Sequence, residues 1–422
     1  MPIATSIALP RTPRTAAAIA VGLLVCAVAS ATNGDELLGI GAIQRGTAGA
    51  GVASPQDATW SFLNPASIVD LDRRIDVGLD VIFPRRTAKP EGPRLVINLQ
   101  APNDDFLVSL ANPNAGHLED RRLSLSPALG LIWPLECGAL GFGVFGVEGN
   151  NVRYARSRTL PGLQSGNKDR RAQLETIKLP LSYAHRFDNG WAVGGALVGV
   201  YSRLRTDSLT LELTPTEGDF KWDTSIGWGF KLGVYRRWDR WSFGAVYSSR
   251  QWKSKFGKYE DMLIYHLDHP QQFQIGLAYR PRPRFEFVAD YKFIDWSGVS
   301  QISRDTVRGG LGWNDQHIFK LGATWNASRL WTFRAGVSHG DSPVPSDAVF
   351  SSVLFPGISE THLTLGAGYR ISKRSDLNLA LMHALKNTET DSGTGDLFSV
   401  GGRGTEISLE QTAVTLQYSF RF

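Results

Sequence analysis

The chain closes on "AVTLQYSFRF", residues 413–422, and the reading of these ten residues decides the fold. Val414, Leu416, Tyr418, Phe420 and Phe422 fall on one side of an extended backbone, and Ala413, Thr415, Gln417, Ser419 and Arg421 on the other. A period of two is the mark of a strand whose faces meet different surroundings. Upstream the same text recurs. In "QFQIGLAYR", Phe273, Ile275, Leu277 and Tyr279 oppose Gln272, Gln274, Gly276, Ala278 and Arg280. In "RFEFVADYKFIDW", Phe285, Phe287, Ala289, Tyr291 and Phe293 oppose Glu286, Asp290 and Lys292.

Working outward from these, about fourteen such segments cover the chain after Arg73, near 74–84, 120–133, 138–150, 174–187, 191–206, 225–238, 241–254, 271–281, 284–296, 316–327, 331–341, 360–371, 375–386 and 408–422. Most are longer than the usual strand of a globular protein, and a tilted strand needs roughly 9–11 residues to cross a bilayer. The connections alternate in length. Short ones, such as "DNG" at 188–190, Asp239-Arg240 and "RPR" at 282–284, are followed by long ones near 85–119, 151–173, 207–224, 255–270, 297–315, 342–359 and 387–407. This predicts an all-β fold, a fourteen-stranded antiparallel transmembrane barrel over 74–422, with both chain ends on the short-turn, periplasmic side. A soluble propeller would repeat every 40 residues or so, and no such repeat is evident.

Composition agrees with that class. The 422 residues include 44 glycines, and 10% are aromatic. The formal charge is +5 from 45 basic and 40 acidic side chains. The first 31 residues read as a secretory signal: Arg11 and Arg14 form the basic region, 16–29 the apolar core, and Ala29-Ser30-Ala31 the cleavage site. Without that leader the excess is only +3, too small and too scattered to predict a nucleic-acid partner. Cys26 follows Val25 where a lipoprotein signal places a small residue, so it is assigned to the leader. Cys137 then remains as a lone cysteine beside a turn, with no internal disulfide to form.

Between leader and strands lies "GIGAIQRGTAGAGVASPQDATWSFLNPASIVDL", 39–71, poor in large apolar residues and without period. Gly46, Gly49 and Gly51 let backbone pass close to a neighbour and adopt positive φ. Pro65 fixes its own φ and moves Asn64 out of the helical region, so Asn64-Pro65-Ala66 predicts a turn. Placed there, the turn is expected where this segment meets the first strand.

Three patches in this order resemble the FadL family, the long-chain fatty acid transporters of Gram-negative outer membranes with their toluene- and xylene-uptake relatives. They are the segment just quoted, "PQQFQIGLAYRPRPRFEFVADYKFIDWS" at 270–297, and "LWTFRAGVSHGDSPVP" at 330–345 with its Asp341-Ser342-Pro343-Val344-Pro345 run. The resemblance implies that 32–73 form a hatch inside the barrel. It also implies passive uptake of hydrophobic small molecules or fatty acids, which leave sideways through the wall beside an inward kink of an early strand. Lipid of the outer membrane and the barrel assembly machinery, which reads the aromatic C-terminal Phe422, are the partners so implied. In the family the loops near 207–224 and 255–270 build an outer capture groove; here they are short, which leaves the substrate class open.

An amphipathic ligand needs an apolar cavity with one or two placed polar groups, and a carboxylate prefers Arg or Lys. Arg203 and Arg205 sit near a strand end, where family members carry basic residues. Both share the parity of Val193 and Leu197, so they are either ligand contacts or rim arginines. Lys320 and Arg334 share the lumen parity of their strands, and either meet ligand or pair with Asp290 and Glu286. "GVSHG", 336–340, matches the nucleophile-elbow pattern but lies in an alternating strand rather than a strand-to-helix turn. No catalytic residue, metal site or cofactor is therefore predicted. The rival readings are a general porin, which would not need a hatch, and an outer-membrane lipid-modifying enzyme, which would need Ser and His together on one outer strand face.

Overall fold

The computed structural model describes residues 34–89, 96–101, 104–109, 118–154, 170–206, 220–260 and 263–422. The expected leader, 1–31, lies outside the described residues. Fourteen long strands form the wall: β1 (Arg74–Lys89), β2 (Ser124–Leu135), β3 (Gly138–Tyr154), β4 (Arg170–Arg186), β5 (Trp191–Thr206), β6 (Asp223–Trp238) and β7 (Trp241–Ser248). They continue as β8 (Gln272–Arg282), β9 (Phe285–Ile294), β10 (Gln316–Asn326), β11 (Trp331–Gly340), β12 (Thr361–Arg370), β13 (Ser375–Thr390) and β14 (Glu406–Arg421). Each pairs antiparallel with its chain neighbours, and β1 pairs with β14 from Arg74↔Arg421 to Lys89↔Glu406, which closes the ring. Several strands run past their expected ends on the long-loop side: β1 to Lys89, β3 to Tyr154 and β13 to Thr390.

The two faces of each strand explain the closure. Along β14, Val414, Leu416 and Tyr418 are exposed on the outside, while Ala413, Thr415, Gln417 and Ser419 are buried inside. A lumen of polar side chains wrapped in an apolar outer band is stable only where lipid meets the band. Among the described residues no helix is long and apolar enough to cross a membrane; this chain crosses with strands. Near the short turns the outer face carries Trp133, Phe187, Trp238, Trp241, Trp325 and Trp331, an aromatic girdle at the membrane boundary. Stacked pairs such as Trp241–Tyr279, with ring centroids 4.3 Å apart, bind neighbouring strands there. Cys137 is a free, exposed residue of the β2–β3 turn.

Residues from Gly34 to Leu71 fold inside the ring. They form α1 (Gly41–Gly46), α2 (Trp60–Leu63) and a 3-10 turn (Pro65–Asp70). A second apolar core fills the long-loop end, where Trp296, Trp313, Phe256, Tyr259, Val349 and Ile358 are buried together.

Candidate functional site

The hatch is held by wall side chains that reach its backbone. On β9, Asp290 Oδ2 accepts from the N–H groups of Gly51 (2.8 Å) and Val52 (2.9 Å), and from Gln274 (2.8 Å). On β1, Asp80 pairs with Arg45 at 3.0 Å, with both side chains fully buried. On β14, Gln417 accepts from Ala42 N–H and donates to Asp57, both at 2.8 Å. Such buried pairs contribute little net stability once desolvation is counted, but removing one partner is costly, so they fix position.

The predicted hatch glycines divide by role. Gly49 (φ +70°) and Gly51 (φ +125°) occupy backbone that other residues rarely adopt. Gly46 has ordinary dihedrals; a Cβ there would come within 3.3 Å of the Gly366 backbone. Asn64 is extended (φ −144°) and fully buried. Its Oδ1 accepts from Ala66 N–H at 3.1 Å, while its amide donates to Val52 O (2.9 Å) and Val234 O (3.2 Å). Contrary to expectation, the Asn64-Pro65-Ala66 turn does not sit at the junction with β1. It abuts Gly194 on β5 and Gly233 on β6, where a Cβ would collide with it. Four further 3-10 residues carry the chain from there towards β1.

Lys320 and Arg334 are buried in the lumen, as their parity predicted. Lys320 Nζ donates to Gly49 O at 3.4 Å, whereas Arg334 donates to Gln56 and Asn378, both at 3.2 Å, and so braces the hatch. Arg203 and Arg205 lie apart from them. They share the outward parity of Val193 and Leu197 at the long-loop rim, bonded to Glu175 and Gln173 and stacked on Trp222 at 4.4 Å each. In β11, Ser338 is buried and His339 faces out, so "GVSHG" brings no nucleophile and base together.

The wall changes at β3. Its ladder with β2 stops at Ala128↔Phe145, next to Pro127, which has no N–H to give. Its ladder with β4 slips one register between Gly146 and Glu148. Val147 is the extra residue of a bulge, which bends a strand and re-aims its side chains. Beyond it the inward set changes from Ala139, Gly141, Gly143 and Phe145 to Glu148, Asn150, Val152 and Tyr154. The kinked half of β3 pairs instead with the arm that opens the hatch: Leu37 N–H donates to Val147 O (3.1 Å) and Gly149 N–H to Asp35 O (3.3 Å).

That arm ends in a cluster that sequence reasoning missed. The Glu36 carboxylate accepts from Lys292 and Gln272 and lies 2.6 Å from His269 Nε2. His269 Nδ1 is 2.8 Å from Glu148, which also pairs with Lys178. Burial alone would raise the Glu36 pKa, but Lys292 and then His269 hold it well below the usual carboxylate range. Burial likewise opposes a charge on His269, yet Glu148 and Glu36 outweigh it and raise its pKa. Asp35 keeps some exposed surface, but its Oδ1 is shut off from solvent; burial, then Glu148, pushes it up to about 7. Asp35, Glu148 and His269 bring ligand atoms within 4.8 Å of one another. With Lys178 already on Glu148 and Lys292 on Glu36, the cluster is an ion-pair network in which a cation would be repelled. The signal was present in the lumen parity of Lys231, Gln272 and Lys292, but only ring closure gathers them.

Two cavities flank the arm. The inner one, about 60 Å³, is lined by Glu36, Lys231, Lys292 and Lys320 with Leu38, Phe62 and Val246. On that measure a water takes roughly 10–15 Å³, so it holds a few waters and no long alkyl chain. The outer one, about 30 Å³, is apolar: Leu174, Leu263, Leu267, Ile302, Leu311 and Trp313, with Asp35 at its edge. Of the expected capture-groove loops, 207–219 lie outside the described residues, and the other contributes Phe256, Tyr259 and Leu263 to the buried apolar core.

A plugged fourteen-strand barrel with a broken third-strand ladder is a specific arrangement, and comparison with known proteins places it. Residues 23–422 match the model of the outer membrane protein transport protein family (OMPP1/FadL/TodX). The chain belongs to this family. It is accordingly an outer-membrane barrel of a transport family. The long-chain fatty acid transport protein of Escherichia coli O6:H1 is 23% identical over 301 residues, 58% of this chain and 66% of that protein. The Salmonella typhi long-chain fatty acid transport protein is 23% identical over 260 residues, 50% of this chain and 59% of its own length. The matched stretches thus span under two thirds of these relatives. Among solved structures, the Pseudomonas putida toluene transporter TodX superposes with a TM-score of 0.66 at 16% identity, covering 92% of this chain and 99% of that one. The Ralstonia pickettii toluene transporter TbuX gives 0.60 at 19% identity, over 92% and 99%. At such identity the likeness to the solved structures establishes the shared fold.

Proposed function

We propose that this family member is a passive outer-membrane channel for hydrophobic compounds, long-chain fatty acids or aromatic hydrocarbons, which it releases sideways through its own wall. The observation that carries this reading is the parting of β2 and β3 beyond Ala128 and Phe145, beside the Val147 bulge. An apolar solute gains nothing from a polar lumen, so an opening that faces lipid is the favourable way out. Ligand passes first by the apolar lining at the long-loop end and then by the space beside Lys320 and Lys231, both of which must widen from about 30 and 60 Å³ to take it. Arg334 braces the hatch, and Arg203 and Arg205 order the rim. In this reading 32–73 act as the gate.

The test is uptake by liposomes carrying the purified protein. A fluorescent long-chain fatty acid and toluene are expected to enter faster than into protein-free liposomes, whereas small sugars should cause no swelling. Brisk sugar entry would overturn the reading in favour of a general porin.

A further inference from the structure

The outer face of β6 has two aromatic levels. Trp238 marks the short-turn end, and Trp228, ten residues away along the strand, packs against Trp252 with ring centroids 5.1 Å apart. At roughly 3.3 Å per residue and a tilt of about 40°, ten residues climb about 25 Å, the height of an outer-membrane apolar band. Trp228 therefore stands where lipid tails give way to headgroups. Arg203 on β5 lies opposite Thr224, four residues beyond that level on the long-loop side. Outward side chains at this height meet the headgroups of the outer leaflet.

Five arginines gather there. Arg153 of β3 stands directly opposite Arg171 of β4, and Arg205 and Arg203 of β5 stand opposite Gln173 and Glu175. Arg122, just ahead of β2, is near enough that its charge, with those of Arg171 and Arg203, opposes the charge of Arg205. The carboxylates paired with this group are Glu175 and Asp120, and Asp120 is shared with Arg86. Positive charge is thus in excess. The side chains are also held in place. Phe220 lies against Arg171 (3.6 Å) and Arg205 (4.6 Å), and Trp222 against Arg203 and Arg205. Arg205 donates to Gln173, whose amide donates to Asn151 at 2.6 Å. A guanidinium fixed on an aromatic ring has little freedom left to lose, and its planar fork of N–H groups matches phosphate oxygens. From β3 to β5 is two strand spacings, roughly 10 Å, which is wider than one phosphate.

We propose that this patch seats an outer-leaflet lipid whose sugar headgroup carries two phosphates. One phosphate lies at Arg153 and Arg171, the other at Arg203 and Arg205, and the acyl chains run down the apolar face past the exposed Leu181 and Leu197. A lipid with a single phosphate satisfies only half of the patch. The seat is independent of what the channel carries.

The experiment titrates the intact barrel in detergent micelles with bisphosphoryl lipid A and with its monophosphoryl form, and reads bound lipid by native mass spectrometry. Wild type is expected to bind the bisphosphoryl form at least tenfold more tightly. Arg171→Gln combined with Arg205→Gln should abolish that preference while heat-modifiable mobility on gels stays normal. Arg171→Lys with Arg205→Lys, which keeps the charge and loses the fork, should weaken binding several-fold and serves as the test should the glutamine pair fail to fold. Arg282→Gln with Arg284→Gln removes equal charge from the exposed β8–β9 turn at the opposite rim and should leave binding unchanged. Excess inorganic pyrophosphate should not displace the lipid. Equal affinity for the two lipids, or unchanged binding in the Arg171 and Arg205 variants, overturns the seat. An equal loss in the Arg282 and Arg284 variant reduces it to general charge attraction, and displacement by pyrophosphate reduces it to a site for free anions; either result overturns the proposal.

Discussion

Gly49 shows how closely the hatch is fitted. At φ +70° a side chain is already strained, and its Cβ would collide with the Leu38 carbonyl. Gly49→Ala should therefore displace the hatch while the wall still forms, at a cost of about 1–3 kcal/mol. The expected outcome is persistent leak current in planar bilayers together with normal heat-modifiable mobility on gels. Asn64→Ala removes bonds to Ala66, Val52 and Val234 and leaves buried groups unpaired at about 1–3 kcal/mol each. Uptake should slow several-fold with insertion unchanged; normal uptake would reduce the turn to a structural role. Titration at the arm has a definite sign. Asp35 and His269 both have raised pKa values in the folded arm, so the docking they favour is complete below their unfolded values, roughly 3.9 and 6.5. That contribution is lost as pH rises through about 7 for Asp35 and above the ordinary value for His269. Glu36 is lowered, so its share is lost only in acid, below roughly pH 4. Amide exchange at 34–39, corrected for intrinsic rate, should accordingly be slowest near pH 4 and rise progressively towards pH 8.

Among the elements, β3 is the one built to be irregular. Deleting Val147 removes the extra residue and lets the ladder with β4 run without a slip; Glu148 stays opposite Thr176, but the bend that carries β3 away from β2 is lost. Uptake of a labelled fatty acid should fall at least tenfold while the barrel assembles; unchanged uptake would show that the bend is dispensable. How legible these elements were in sequence follows from their periods. β14 and β8 could be read residue by residue because an apolar outside and a polar inside force alternation. The bend could not, because Leu140, Phe142 and Val144 share a parity with Val152 and Tyr154, and a bulge between them reverses what parity means. Glu148 and Asn150, standing on the outward parity of Leu140, were the available clue. Arg203 and Arg205 could not be assigned for the same reason: near a rim both faces accept arginine. The turn at Asn64 was legible as a turn, but its seat against Gly194 and Gly233 depends on strands more than a hundred residues away.

For the whole molecule, the hatch and the wall are mutually dependent. Removing Thr32 to Arg73 would leave Asp80, Asp290, Lys320 and Arg334 without the groups they now meet in the lumen. Water can solvate them, so the ring should persist as an open pore. The expected measurement is a steady conductance with little discrimination between ions and sugars, and an unchanged, low conductance would refute the plug assignment.

Gln417 and Asp80 stand on the last and the first strand, and both grip the hatch, through Ala42, Asp57 and Arg45. The two strands are separated by nearly the whole sequence, and joining them is the slow, entropically costly event in making the ring. A hatch docked on β1 already presents Ala42 and Asp57 to the incoming Gln417. The segment that obstructs the pore thus also bridges its closing seam, and substitutions at Ala42, Arg45 or Asp57 are expected to slow ring closure, read as the rate at which heat-modifiable mobility appears during refolding, as well as to alter permeation.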